Sequence, residues 1–141
     1  TYAMHPLALS AIPAAVEEYK KLVDSGLIDK VSKHLEKRLR ELMSNHKCVG
    51  DVRGLGHFWA VEIVKNRETK EPFNTRADKA SLKPLTVTKL TNEMLSRGLW
   101  LNSWISHFIV APPLIISEKE VDEGIEVFDE VLRIADSMVE E

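Results

Sequence analysis

Residues 48–73 read CVGDVRGLGHFWAVEIVKNRETKEPF, and their pattern decides the fold. Gly54 and Gly56 supply the G-x-G of a phosphate-binding loop. Trp59, however, stands where a third glycine belongs, and an apolar strand pattern follows where a helix should begin. The phosphate-loop reading therefore fails. Phe58, Trp59, Ala60, Val61, Glu62, Ile63 and Val64 read instead as a strand entered through a glycine turn. The charged run KNRETKEPF reads as a turn or loop.

On the N-terminal side, Leu27, Val31, Leu35, Leu39 and Leu42 recur at helical spacing and predict a helix to about Met43. Before it, Pro6 suits the first turn of another helix, running to about Val23 and stopping near Gly26. Pro13 makes a kink or a late start there. The first half of this helix is apolar on every side, with no Asp, Glu, Lys or Arg before Glu17. Its second half, EEYKKLVD, reads as a surface helix, so polarity changes midway.

On the C-terminal side, a loop through Pro84 leads to a short helix over 86–97, with Val87, Leu90, Met94 and Leu95 inward. LWLNSW and HFIVAP read as two short strands, the second ended by Pro112-Pro113. Ser117 and Glu120 form a capping box. The helix behind it turns Val121, Ile125, Phe128, Val131, Leu132 and Ala135 inward. The order α-α-β-α-β-β-α predicts an α+β layer, a small and largely antiparallel sheet covered by helices.

Composition narrows the function. A chain of 141 residues suits one domain. Its 19 basic and 22 acidic residues form no long block of either sign, which argues against nucleic-acid and anionic-membrane partners. No apolar run approaches a transmembrane span, and the N-terminal stretch lacks the basic start of a secretory signal. Cys48 is the single cysteine, which excludes an intrachain disulfide and a multi-cysteine metal site and fits a reducing cytoplasm.

No complete catalytic constellation stands in the sequence. His5, His34, His46, His57 and His107 show no paired metal spacing and read as surface or cap residues. There is no G-x-S-x-G, and Cys48 reads as an ordinary thiol without an activating partner. Trp100 and Trp104 read as core or interface packing, since no basic stripe accompanies them as single-strand binding requires. Thr1 suits a helix cap or a hydroxyl donor to an anion near the helix's positive end.

Three stretches together resemble one family. TYAMHPLALSA is similar to the T-Y-x-x-H-P-L-A segment of class III pyridoxal-phosphate aminotransferases, the omega- or 4-aminobutyrate-type transaminases. VGDVRGLGHFWAVEIVKNRETKEPF resembles their V-R-G-x-G-L-F strand and the loop after it. VAPPLIISEKEVDEGIEVFDEVL resembles their P-P-L-I-I-T segment and final helix. The resemblance implies the C-terminal small domain of a fold-type I enzyme, with residues 1–26 as an interdomain helix and 27–141 as the small domain. It implies a homodimer that moves an amino group from an amine or amino acid to a 2-oxo acid. The Schiff-base lysine and the aspartate pairing with the pyridine nitrogen lie in the large domain, before the T-Y-x-x-H-P segment. The expectation is a partner large domain, a catalytically silent chain when alone, and no cofactor bound by this chain alone.

Of the family's site residues, the resemblance carries over Thr1, matching a threonine that hydrogen-bonds the cofactor phosphate in the neighbouring subunit. Two carboxylate-clamp arginines do not carry over. Asn102 stands near the place of one. Ile109, three residues before Pro112-Pro113, stands at the other, found in acetylornithine-type members. Asn102 and Trp104 are expected at the substrate rim. The competing expectation is a free-standing, non-catalytic α+β module that binds a ligand or dimerises. The first helix separates the two: a free-standing module buries Leu7, Leu9 and Ile12, and a domain parted from its neighbour exposes them.

Overall fold

A computed structural model describes residues 4–140. In chain order the elements are α1 (Pro6–Ser10), α2 (Ile12–Asp24), α3 (Leu27–Asn45), β1 (Val49–Leu55), β2 (Phe58–Asn66), β3 (Glu71–Pro72), α4 (Arg76–Ala80), α5 (Thr86–Ser96), β4 (Asn102–Trp104), β5 (His107–Val110) and α6 (Glu118–Asp136). The strands form an antiparallel sheet ordered β1-β2-β5-β4, with β3 paired to the far end of β2. The fold is therefore α+β with a small antiparallel sheet, as the sequence predicts.

The sheet follows from its alternation. Val52 pairs with Val61, Val61 with Phe108 and Phe108 with Ser103, so these residues share one face. Against that face lie Val31, Leu35, Leu39 and Leu42 of α3, Val87, Leu90 and Met94 of α5, and the apolar stripe of α6. All six inward residues expected of α6 are buried. Phe128 meets Phe108 edge-on at 5.2 Å between ring centroids, a favoured aromatic geometry.

Three elements depart from expectation: β1, α4, and β3, which lies inside the run KNRETKEPF read as a turn or loop. The segment before the glycine turn is itself a strand, β1. It requires glycine at position 54, because a Cβ there would lie 2.3 Å from the Phe58 carbonyl oxygen and 2.6 Å from the Trp59 Cα. Trp59 then donates its indole N–H to the Gly56 carbonyl at 2.8 Å, closing the turn. The expected loop also holds α4, whose start is fixed by reciprocal bonds between Thr75 and Asp78. The first helix divides at Ala11, and Pro13 sits in the first turn of α2.

That N-terminal arm packs chiefly where α2 meets α3. Leu9, Ile12, Val16, Tyr19 and Val23 are exposed and recur at alternating spacings of three and four, one helical stripe. Gly26, with φ at 70°, joins the arm to α3. No helix among the described residues is long and apolar enough to cross a membrane.

The expectation that every histidine is a surface or cap residue is corrected. His46 is buried, with Nδ1 2.7 Å from Asp136 and Nε2 3.0 Å from Asp129. Asp136 also accepts the Cys48 backbone N–H at 2.9 Å. This cluster ties the end of α3 and the start of β1 to α6. His57 is buried in the β1–β2 turn, and neither ring nitrogen has a partner among the described residues. Burial accordingly holds its pKa below the ordinary value.

Phe128→Ala is expected to destabilise the chain by about 3–5 kcal/mol, read from urea unfolding. Acid should destabilise it through Asp129 and Asp136. Burial pushes both carboxyls up, but hydrogen bonds from the Cys48 N–H, His46 and Arg133 outweigh it, and both pKa values lie below the ordinary 3.8. A depressed folded pKa contributes stability that is complete above the unfolded value and lost as pH falls through the folded one. The urea midpoint should therefore fall as pH drops below about 4, and less steeply in Asp136→Asn.

Candidate functional site

The sheet has a second face, and the same register defines it. Arg53, Ala60, Ile109 and Asn102 form one cross-strand row, and Asp51, Glu62, His107 and Trp104 the next. The buried core of α3, α5 and α6 lies on the opposite side. Asn102 and Trp104, expected at a rim, share this open face on edge strand β4. Asn102 pairs directly with Ile109, so the two places where the resemblance expects an arginine are cross-strand neighbours.

Trp104 is 53% exposed and Trp100 65%, which removes the core alternative of their reading and leaves interface packing open. The Trp104 ring instead carries the Lys79 ammonium of α4 at 2.9 Å from its centroid, a cation–π contact. The turn beside it is strained. Ile105 is β-branched yet has φ at 53°, a conformation such side chains rarely adopt, and Ser106 N–H reaches the Trp104 carbonyl at 2.6 Å. The turn is held because Ile63 N–H donates to the Ser106 carbonyl at 2.8 Å and Ile105 is itself buried.

Charge on this face is unevenly settled. Arg53 donates to Asp51 and to Glu62, both at 2.7 Å, and these carboxylates raise its pKa. Lys79 forms no ion pair among the described residues. Sequence reading missed both cations. The period-two alternation through Arg53 could have placed the first, whereas Lys79 meets Trp104 only through the fold.

At the end of the sheet nearest Asn102, a cleft of about 600 Å³ opens between β4, β5 and α6. Phe58 and Trp100 stand exposed at its rim, and Asn102 reaches it, while Trp104 does not. Its walls are apolar apart from Asn102 and Glu120, and the Glu120 carboxylate is taken by Ser117. Such walls offer no cation or hydroxyl cluster for a phosphate, so the lining of this cleft does not fit the phosphate of pyridoxal phosphate. Thr1, the one expected cofactor contact, lies outside the described residues. No group of three or more His, Cys, Asp or Glu side chains arranged to hold a metal ion occurs among them.

Cys48 is fully buried, with Sγ 3.6 Å from the Leu132 carbonyl. Burial, then Asp136, pushes its thiol far up. The thiolate is the reactive form, so the ordinary-thiol reading becomes an inert one. Cys48 should resist an aromatic disulfide reagent in folded protein at pH 8 and react at once in urea. Rapid labelling without denaturant would contradict the burial described.

The family model described as aminotransferase class-III matches residues 1–132. The chain is 30% identical over 140 residues to ethanolamine-phosphate phospho-lyase homolog 1 of Caenorhabditis elegans, covering 95% of this chain and 27% of that protein. It is 34% identical over 128 residues to putrescine–pyruvate aminotransferase of Pseudomonas aeruginosa, covering 87% and 25%. Among solved structures it resembles taurine:2-oxoglutarate aminotransferase of Bifidobacterium kashiwanohense, determined with PLP and glutamate. There the TM-score is 0.80 at 30% identity, over 94% of this chain and 29% of that one. The chain thus spans less than a third of the length of these proteins.

Proposed function

The chain belongs to the class-III aminotransferase family, and we propose that it serves as the C-terminal small domain of an omega- or 4-aminobutyrate-type transaminase. The complete enzyme would move an amino group from an amine or amino acid to a 2-oxo acid. The observation that carries this reading is the match over 94% of the chain to a solved transaminase at a TM-score of 0.80.

Two features of the chain support the arrangement. The stripe Leu9–Ile12–Val16–Tyr19–Val23 is exposed, as an interdomain helix over residues 1–26 would be before a large domain covers it. The open sheet face, with Asn102 and Trp104, is the surface that residues 27–141 would turn toward the substrate. Pyridoxal phosphate, held elsewhere in the complete enzyme, would supply the electron sink. Thr1 would donate its hydroxyl to the cofactor's phosphate in the neighbouring subunit of a homodimer. The buried, unpaired Cys48 suits a cytoplasmic enzyme. On this reading the chain alone transfers no amino group.

The test compares the complete polypeptide with the isolated chain. Putrescine with pyruvate, the pair in one relative's name, is the first combination, and alanine formation is measured. The complete protein should form alanine and the isolated chain should not. Phosphate release from phosphoethanolamine without alanine formation would sink the transaminase reading in favour of elimination, as another relative's name describes. Borohydride trapping of pyridoxal phosphate on one lysine of the isolated chain, at full stoichiometry, would contradict its silence.

A further inference from the structure

We propose that Lys79 determines acceptor specificity by holding the substrate's carboxylate at the open face of the sheet. This rests on the transaminase reading above and adds to it the residue that recognises the acid end of the acceptor.

The charges on and around the face single this residue out. On the β1–β2 side, Arg53 is spent on Asp51 and Glu62. The β4–β5 side presents Asn102, Trp104, His107 and Ile109, with no carboxylate among them. Beside Lys79 in α4, Asp78 is also spent. It accepts from the Thr75 N–H at 2.8 Å and hydroxyl at 2.7 Å, and pairs with Lys83 at 2.7 Å. Thus the acid nearest in sequence to Lys79 is engaged elsewhere.

What holds Lys79 is a ring. An aromatic face attracts an ammonium and fixes its position, but it fills none of the three N–H donors as an oxygen would. Trp104 is in turn held by the strained turn at Ile105. The result is a positioned cation with its donors unspent. Asn102, two residues along β4, adds a neutral amide on the same face, and its side chain has no hydrogen-bond partner among the described residues. A carboxylate that meets the Lys79 ammonium gains a charge-assisted hydrogen bond, and the Asn102 amide is a further neutral donor on the same face. An uncharged aldehyde has no anionic oxygen to take the charge-assisted bond. The pair therefore selects acceptors bearing an acid group over uncharged aldehydes.

The experiment uses the complete enzyme, with pyruvate and butanal as alternative acceptors for one amine donor. Lys79→Met keeps the stem against Trp104 and removes the charge. The KM for pyruvate is expected to rise on the order of tenfold or more, as loss of one charge-assisted bond implies. The KM for butanal and kcat should move far less, and Lys79→Arg should recover most of the pyruvate KM. Equal changes for both acceptors would mean that Lys79 only supports the loop, and this would overturn the proposal. An unchanged pyruvate KM would overturn it too, leaving the transaminase reading intact. If the unsubstituted enzyme transfers no amino group to either acceptor, the reading itself fails and this proposal with it.

Discussion

Strand register is the constraint on which the rest of this structure depends. Side chains alternate across a strand, so packing Val52, Val61 and Phe108 beneath three helices assigns every neighbour to the other face. A slip of one residue between β2 and β5 would turn Phe108 to solvent and exchange the two faces. Asn102 and Trp104 are thus placed by the core, although neither belongs to it. The close approach at Gly54 and the Trp59–Gly56 bond pin the β1–β2 turn. The tight turn at Ile105 and Ser106 pins β4 to β5.

A second tie works from the opposite side. His46 and the Cys48 backbone join the end of α3 and the start of β1 to Asp129 and Asp136 of α6. Apolar packing is non-directional, whereas these bonds fix how far α6 sits along the sheet. The wall that α6 gives to the apolar cleft depends on that position. The cost of burying carboxylates is offset because each has several donors.

The long helices were legible because their apolar spacing is strong and α6 carries a full capping box. β1 was not, because Gly50, Gly54 and Gly56 interleaved with Asp51 and Arg53 read locally as a turn. α4 was not, because five residues are too few for periodicity and its cap uses Asp78 in place of the usual longer acid. At the candidate site, Asn102 was visible only through resemblance. The Lys79–Trp104 contact joins residues 25 positions apart, and such pairings arise from tertiary packing. His46 was misread for the same reason, since its two carboxylates lie far along the chain on α6.

The arm has a mechanical consequence. α2 spans 13 residues, about 20 Å at the helical rise per residue, and it leaves the body at Gly26, whose backbone is left-handed and around which a Cβ would meet nothing within 4 Å. The arm's direction is therefore written in one residue's backbone torsions, with few side-chain contacts to hold it. Over that length, a rotation of about 10° at the joint carries the far end roughly 3 Å. Gly26's dihedral angles thus set the pitch of the arm relative to the sheet's open face.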